Sequence, residues 1–307
     1  WDPAIGVGYV FIANLAASAL KLVLLTPQFR DGLTGFDWAL FRRMIRYSLP
    51  MVLIGLAGIV NEMLDRAALK YLLPFDDQTN MAQLGIYSAC YKLSILMTLF
   101  IQAFRYAGEP FFFAYAKQTD ATRIYASVLN WFVIFCVFIF LLVTLYLDVF
   151  QYFVGSAYRD GLHVVPVLLL AQLLLGVYVN LSIWYKLTDR TLLGSYVSVA
   201  GAAITVVLLF ALVPRYGFEG AAWAHLVCYG SMVLMSYLLG RRYYPVPYDL
   251  ARVGGYVALG LALYGASRVL VDILDFNALV IGTLLLALFL ALVFLIDGRP
   301  LLKRAAG

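Results

Sequence analysis

The sequence predicts an all-α, polytopic membrane protein with about nine transmembrane helices. Hydrophobic residues make up 64% of the 307 residues and charged residues only 13%, whereas a soluble domain contains about 25% charged residues. The mean hydropathy is +0.89. A soluble fold of this size cannot bury so many apolar side chains, because its surface must be largely polar. A soluble enzyme, a disordered protein and a secreted disulfide scaffold are therefore excluded.

Apolar windows give the positions of the predicted spans, since a membrane helix needs ~20 mainly apolar residues. They cover approximately residues 4–25, 47–73, 84–113, 123–147, 162–185, 191–213, 219–240, 252–271 and 276–296. The connections between the spans are short. No loop is long enough to fold as a separate catalytic domain, and we therefore expect a protein that is not an enzyme.

The first predicted span, residues 4–25, carries one charged residue, Lys21, which can extend to the membrane surface. It lacks the charged start and the small-residue cleavage site of a signal peptide. Because the chain begins at Trp1, we expect a fragment without its N-terminal portion. The longest connection follows, and its basic amphipathic run at 41–46 predicts an interfacial helix leading into the second span.

The second predicted span, residues 47–73, is long and carries a polar stripe on an otherwise apolar helix. Several of its polar residues lie four positions apart, and such residues share one face of a helix. They are Asn61, Glu62, Asp65, Arg66 and Lys70. Lys70 is close enough to the end of the span to reach the surface. Glu62, Asp65 and Arg66 are predicted to lie inside the bilayer.

The third predicted span, residues 84–113, also contains charges. Lys92 lies well inside it, and Arg105 and Glu109 form an i, i+4 pair near its cytoplasmic end. The segment 108–110 contains Gly and Pro and predicts a kink or an end of the helix beside Glu109.

The later spans carry few charges and no catalytic constellation. Cys90, Cys136 and Cys228 fall in apolar stretches and are too few and too far apart for a metal site or a disulfide framework. We expect them to be small buried side chains, and we expect no metal and no cofactor. His163 lies at the outer start of the fifth span and is predicted to be interfacial.

Basic residues alternate between the two predicted faces of the membrane. The loops after the first, third, fifth, seventh and ninth spans contain 14 Lys and Arg residues, and the other loops contain three. Positive loops are typically cytoplasmic, so the C-terminus, with Arg299, Lys303 and Arg304, is predicted to be cytoplasmic. The net charge of +5 is explained by this asymmetry and requires no nucleic-acid partner.

The charges inside the second and third spans have two interpretations. A charge in hydrocarbon costs at least ~2.5–3.5 kcal/mol, so each one needs a partner or water. One interpretation is structural ion pairs, Glu62–Arg66 and Arg105–Glu109, that hold helices together. The other is a polar cavity whose bases hold an anionic substrate group and whose acids bind a coupling cation or a proton. Concentration of the charges in two adjacent spans favours the cavity.

Several stretches are similar to those of one transporter family. They include Asn61-Glu62-Met63-Leu64-Asp65-Arg66 and a Tyr-Gly-x-x-Gly-Ala-Ala turn at 216–222. The others lie at 47–50, 85–92, 102–112 and 243–248. In order and spacing they resemble the Wzx-type O-antigen and polysaccharide flippases of the multidrug/oligosaccharidyl-lipid/polysaccharide exporter superfamily.

This resemblance implies a MATE-like fold of two six-helix lobes around a central cavity, followed by two extra helices. Residues 1–27 would then be the last helix of the first lobe, and 28–46 a cytoplasmic connector between the lobes. Residues 47–242 would form the second lobe, and 243–307 the two additional helices. The resemblance also assigns a cationic, substrate-binding cavity to Arg66, Lys92 and Arg105. Lys70 is a further candidate.

The implied activity is transport, by alternating access, of an undecaprenyl-diphosphate-linked oligosaccharide across the bacterial inner membrane for lipopolysaccharide or polysaccharide biosynthesis. Expected partners are the lipid-linked oligosaccharide, membrane lipid and polysaccharide-assembly proteins. An H⁺ or Na⁺ coupling ion would be carried by Glu62, Asp65 or Glu109. The alternatives are a cation-coupled multidrug antiporter, which would favour embedded acids over bases, and a membrane polymerase or ligase, which would need a larger outer loop.

Overall fold

The computed structural model describes residues 6, 8–32, 36–274 and 277–298. Every regular element in these ranges is helical, which confirms the all-α fold, and the chain is a multi-pass membrane protein. The chain divides into two compact units between Ser48 and Leu49. The C-terminal basic residues of the predicted orientation, Arg299, Lys303 and Arg304, lie outside the described residues, as do residues 4, 5 and 7 of the first predicted span.

Eleven α-helices follow each other in the described part of the chain, with short 3₁₀ and π segments between and after them. The α-helices are α1 Gly8–Gly32, α2 Trp38–Tyr71, α3 Asp77–Leu93, α4 Ile95–Tyr115, α5 Ala121–Leu145, α6 Leu147–Phe150, α7 Val165–Leu181, α8 Ile183–Leu187, α9 Thr191–Tyr243, α10 Leu250–Leu274 and α11 Ala278–Val293. The 3₁₀ segments are Gln151–Phe153 and Ser156–Val164, and the π segment is Phe294–Gly298.

Seven helical segments among the described residues are long and apolar enough to cross a membrane, or eight when α3 and α4 count as one bent span. The 53-residue α9 is itself broken at Gly217, whose φ of 57° and ψ of −136° are not helical. Its arms, 191–216 and 218–243, are each long enough to cross. With the arms counted separately, the described helices correspond to the nine predicted spans.

Two details differ from the prediction. The third span is not continuous: it bends by 54° at Ser94, whose hydroxyl donates to the Tyr91 carbonyl at 2.7 Å, and α4 then runs through Pro110 to Tyr115. The basic run at 41–46 is not a separate interfacial helix either. It belongs to α2, which continues through Pro50, a residue without the backbone N–H that a helix interior normally uses.

The core of the second unit lies where α5 and α7 pack against α9 and α10. Its most buried side chains include Val133, Leu141, Leu169 and Val213. Glycines permit close approach: a Cβ on Gly176 would lie 2.6 Å from the Phe132 ring. The three cysteines are buried and unpaired, as small apolar side chains would be.

Candidate functional site

A polar cavity of about 310 Å³ lies within the second unit, between α2, α4, α7, α8 and both arms of α9. Its polar and charged lining residues are Asn61, Glu62, Gln102, Arg105, Tyr178, Ser182, Tyr185, Lys186, Ser198 and Tyr229. An adjoining cavity of about 510 Å³ shares Gln102 and Arg105 and adds Glu109. Among apolar residues such as Ile54 and Leu175, the two cavities thus share a run of polar and charged side chains.

One end of this run is a group of charges that we call the cationic cluster: Arg105, Glu109 and Lys186. The Lys186 ammonium donates to the Glu109 carboxylate, and Arg105 Nε lies 3.8 Å from the same carboxylate oxygen, Oε1. Lys186 is nearly buried, at 10% exposure, whereas the Arg105 side chain is 53% exposed. Two cations share one carboxylate, which leaves a formal excess of one positive charge for an anionic group.

Lys186 was not predicted as a site residue, because the apolar window ended at 185 and placed it in a loop. The structure places it in α8, which follows an interruption at Ser182. Tyr178, Ser182 and Lys186 are spaced four residues apart and all line the 310 Å³ cavity. This spacing continues a polar helical face past the predicted end of the span and could have identified the residue.

A second group of charges is fully enclosed, and we call Asp65 and His225 the buried dyad. Their side chains are 0% and 1% exposed, and His225 Nε2 lies 3.2 Å from Asp65 Oδ2. The distance between these two atoms allows an ion pair, but they are not aligned for a hydrogen bond. The other ring nitrogen, His225 Nδ1, has no hydrogen-bond partner among the described residues. Asp65 Oδ1 accepts the backbone N–H of Arg66 at 2.7 Å.

Aromatic side chains enclose the dyad. The Tyr91 and Tyr229 rings lie 6.4 Å and 5.5 Å from the His225 ring, both nearly perpendicular to it. The Arg66 guanidinium stacks over Tyr91 at 5.0 Å, a favourable cation–π distance. Gln172 of α7 donates to the Tyr91 hydroxyl at 2.6 Å, so α2, α3, α7 and α9 meet here.

One helical turn from Asp65, Asn61 joins the dyad region to the cavity. Thr205, in the first arm of α9, donates to Asn61 Oδ1 at 2.8 Å. Asn61 Nδ2 lies 3.7 Å from the Met232 sulfur in the second arm. Asn61 is buried and also lines the cavity, so α2 contacts both arms of α9 through it.

The structure gathers only part of the predicted site. Glu62 and Arg105 line the cavity and Glu109 lines the adjoining one, whereas Lys70 and Lys92 are exposed and absent from both linings. Arg66 lies beside the dyad. Its Nη1 donates to the backbone carbonyl of Glu62 at 2.7 Å, where the spacing had suggested a bond to the Glu62 carboxylate.

His225 was also missed by sequence reasoning. It lies in the seventh predicted span among small and apolar residues. A signal was present, because an ionisable residue inside a membrane span is by default a functional candidate. Its partner Asp65 is far away in the sequence, and that pairing is visible only in the fold.

Comparison with known proteins shows the fold. No protein-family model matches the chain, and no curated protein sequence matches it. A solved structure of lipid II flippase MurJ in an inward closed conformation is similar, with a TM-score of 0.53 and 14% identity over 87% of this chain. The match covers 57% of the MurJ chain. The chain therefore has the helical fold of part of a membrane flippase.

Proposed function

We propose that the protein moves an anionic, lipid-linked substrate between the leaflets of a membrane. The observation that carries this proposal is the cationic cluster, because it places two positive charges against one carboxylate at one end of an intramembrane cavity. The fold is that of a protein named as a lipid II flippase, which supports the same class of transport. A cluster with two bases and one acid fits an anion better than the organic cations of a multidrug antiporter.

The finer proposal is an undecaprenyl-diphosphate-linked oligosaccharide, such as an O-antigen unit, crossing the bacterial inner membrane. A sugar and diphosphate headgroup cannot enter hydrocarbon without large loss of hydration, whereas its lipid tail can stay in the bilayer. Arg105 and Lys186 would replace water around the diphosphate. Rocking of residues 47–242, as one lobe, against another lobe would then open the cavity to each side in turn.

Coupling to H⁺ or Na⁺ is part of this proposal, with Glu62, Asp65 and Glu109 as predicted carriers. Their surroundings differ. Glu109 is held between two cations, which leaves its carboxylate little capacity for a further cation. Glu62 is exposed at the cavity wall, and Asp65 is enclosed. Of these three carboxylates, only those of Glu62 and Asp65 have surroundings suited to binding and releasing an ion.

The test is a leaflet-exchange assay with the complete protein in vesicles. The probe is a fluorescent polyprenyl-diphosphate oligosaccharide, and the readout is its accessibility to a reagent outside. Lys186→Glu reverses the charge of the cluster. Like charges in contact cost several kcal/mol, and 1.4 kcal/mol is tenfold, so we expect a loss of about 100-fold or more. Lys117→Glu, an exposed charge reversal between α4 and α5, is the matched control and should retain activity.

Unchanged exchange by Lys186→Glu would refute the assigned anion site. An uncharged glycolipid probe gives a second control, since its exchange should respond little to the reversal. Arg66→Ala and Lys92→Ala test the predicted wider cationic cavity. If both variants lose exchange, Arg66 and Lys92 belong to the anion site. If both variants exchange fully, the anion site is restricted to Arg105 and Lys186.

A further inference from the structure

We propose that His225 and Asp65 together form a proton-binding site, at which one proton is taken up and released during the transport cycle. The inference rests on the proposed function, because it identifies the coupling ion of that transport. It also assigns a role to His225, which was not among the site residues predicted from the sequence.

The two oxygens of the Asp65 carboxylate have different surroundings, and this arrangement favours a proton on His225. Oδ1 accepts the Arg66 backbone N–H and lies 3.7 Å from Arg66 Nη1, whereas Oδ2 lies 3.2 Å from His225 Nε2 and has no aligned hydrogen bond. The Arg66 side chain is 36% exposed, so water screens its charge, while the carboxylate and the imidazole are buried and screened much less. An imidazolium at His225 is therefore paired with a carboxylate oxygen that is already in place.

The same geometry is unsuited to a metal cation. Asp65 Oδ1 is already occupied by the Arg66 N–H, and the Arg66 guanidinium would repel a second cation beside that oxygen. No group of three or more His, Cys, Asp or Glu side chains within the described ranges could hold a metal ion. A proton needs one acceptor and no coordination shell, and His225 offers two ring nitrogens without aligned hydrogen bonds.

Among the described residues, the other titratable groups near the dyad are Glu62 and Arg66 of α2 and three tyrosines. Tyr87 and Tyr91 face it from α3 and Tyr229 from the second arm of α9, while α7 contributes the uncharged Gln172. Cys228 of the same arm contacts Asn61 instead. Of the residue types that contact Asp65, histidine is the one that commonly serves as a proton carrier in proteins. The imidazole is therefore the proton acceptor of this group.

The dyad also has a route to the cavity. Protonation turns a contact between a carboxylate and a neutral ring into an ion pair, which strengthens the attraction between α2 and the second arm of α9. Asn61 lies one turn away on α2, contacts both arms and lines the cavity. A change in the α2–α9 contact therefore reaches the wall on which Glu62 and Arg105 lie.

The first experiment observes the proton directly and needs no substrate. The chain contains two histidines, His163 and His225. Ring ¹⁵N resonances of histidine-labelled complete protein in detergent, assigned with His163→Gln and His225→Gln, report the protonation of each ring. We expect His225 to change protonation between pH 5 and 8 and to do so differently in Asp65→Asn. One constant protonation state across this range, in both proteins, would overturn the inference. The wild-type measurement stands even if a dyad variant folds poorly.

The second experiment tests coupling in the vesicle assay described above. An imposed pH gradient should accelerate exchange of the anionic probe, by up to about tenfold for one pH unit and one coupled proton, because each pH unit supplies about 1.4 kcal/mol. Asp65→Asn and His225→Gln should lose this acceleration, and His163→Gln, exposed and paired with Glu219, should keep it. Acceleration by a sodium gradient at constant pH, with no response to a pH gradient, would overturn the inference.

The two proposals fail in different ways. If wild-type protein exchanges no probe under any gradient, the proposed function is wrong, and the histidine resonances still decide whether the dyad binds a proton. If exchange occurs and His225→Gln responds to the pH gradient as the wild type does, the proton site is wrong and the flippase proposal remains.

Discussion

The cationic cluster and the buried dyad each combine a carboxylate with basic side chains, yet their surroundings differ. In the cluster, Glu109 and Arg105 line an open cavity, and the bases outnumber the acid. In the dyad, both side chains are fully buried, with aromatic rings packed around the imidazole. An exposed charge stays hydrated until a charged ligand replaces the water. In an enclosed group, gain or loss of one proton changes the electrostatic energy strongly, because little water is present to compensate.

The two groups also lie toward opposite ends of the helices. Asp65 is about two turns before the end of α2, and His225 is about two turns after the break at Gly217. Glu109 is about two turns before the end of α4, at the face that α4 reaches after crossing back. A substrate group at one end and a proton at the other end could be bound at the same time.

The largest difference in stability between the buried dyad and the cationic cluster is expected when the carboxylate of each is removed. Asp65→Ala leaves Arg66 and His225 without their buried counter-charge, and breaking a buried pair costs about 3–5 kcal/mol. Glu109→Ala removes a carboxylate that is 40% exposed, and its pair with the exposed Arg105 contributes at most about 1 kcal/mol. The nearly buried Lys186 also loses its partner, but it can still reach the open cavity, so we expect a smaller loss than in Asp65→Ala. Thermal unfolding of both variants in detergent, followed by tryptophan fluorescence, measures the difference.

An equal loss of stability in the two variants would contradict the distinction drawn from burial. The double variant Asp65→Asn with His225→Gln is a useful control, because it removes both charges and keeps side chains of similar shape. It should be more stable than Asp65→Ala. The energetic cost of the single variant would then be traced to an unpaired buried charge.

The sequence predicted much of the fold, because long apolar windows locate helices regardless of how they pack. The break at Gly217 coincides with the predicted connection between residues 213 and 219. The bend at Ser94 was not predictable in this way. Serine is compatible with a helix, and this one is fully buried, so the bend depends on packing against other helices.

The site was predicted less completely, for two physical reasons. Helical spacing indicates which side chains share a face, but it does not decide between partners. Arg66, for example, contacts the Tyr91 ring and the Glu62 backbone carbonyl, whereas the spacing had suggested the Glu62 carboxylate. The second reason is that Lys186 and His225 obtain their partners from distant helices. Local charge patterns in α2 and α4 contain no information about those contacts.

Gly217 lies just before the arm of α9 that carries His225, so a substitution there should affect the dyad and not the cluster. The expected loss of stability is intermediate in size. Its backbone conformation is one that side chains other than glycine rarely adopt, and a Cβ would lie 3.1 Å from Gln83 Oε1. Gly217→Ala should therefore cost about 1–3 kcal/mol of stability. The His225 resonances should shift as well, because the second arm of α9 begins here.

Gly254→Ala is the matched control for this substitution. A Cβ at Gly254 meets no atom within 4 Å, and Ala in a helix is favoured over Gly by about 0.5–1 kcal/mol. Its midpoint of thermal unfolding should be unchanged or higher. If Gly217→Ala unfolds at the same temperature as Gly254→Ala, the hairpin geometry at Gly217 is not needed to hold the second arm in place.

The smallest effect is expected at Asp76, which caps the helix carrying Tyr87 and Tyr91. Its Oδ1 accepts the Thr79 hydroxyl at 2.6 Å, and its Oδ2 accepts the backbone N–H groups of Gln78 and Thr79. The hydrogen bond from the Thr79 side chain lowers the pKa of Asp76 in the folded protein. The carboxylate therefore stabilises α3 at neutral pH.

A depressed folded pKa sets the sign of the pH dependence. The stabilisation is complete above the pKa of about 3.9 that an unfolded aspartate has, and it is lost as the pH falls through the lower pKa of the folded protein. Asp76→Ala should unfold at a lower temperature than the wild type at pH 7, and the difference should shrink at pH 3 and below. Asp76→Asn keeps a neutral capping acceptor and should lie between them at pH 7. A constant difference between wild type and Asp76→Ala from pH 7 to pH 2 would show that the charge of the cap does not stabilise α3. The aromatic wall of the dyad would then be held by packing alone.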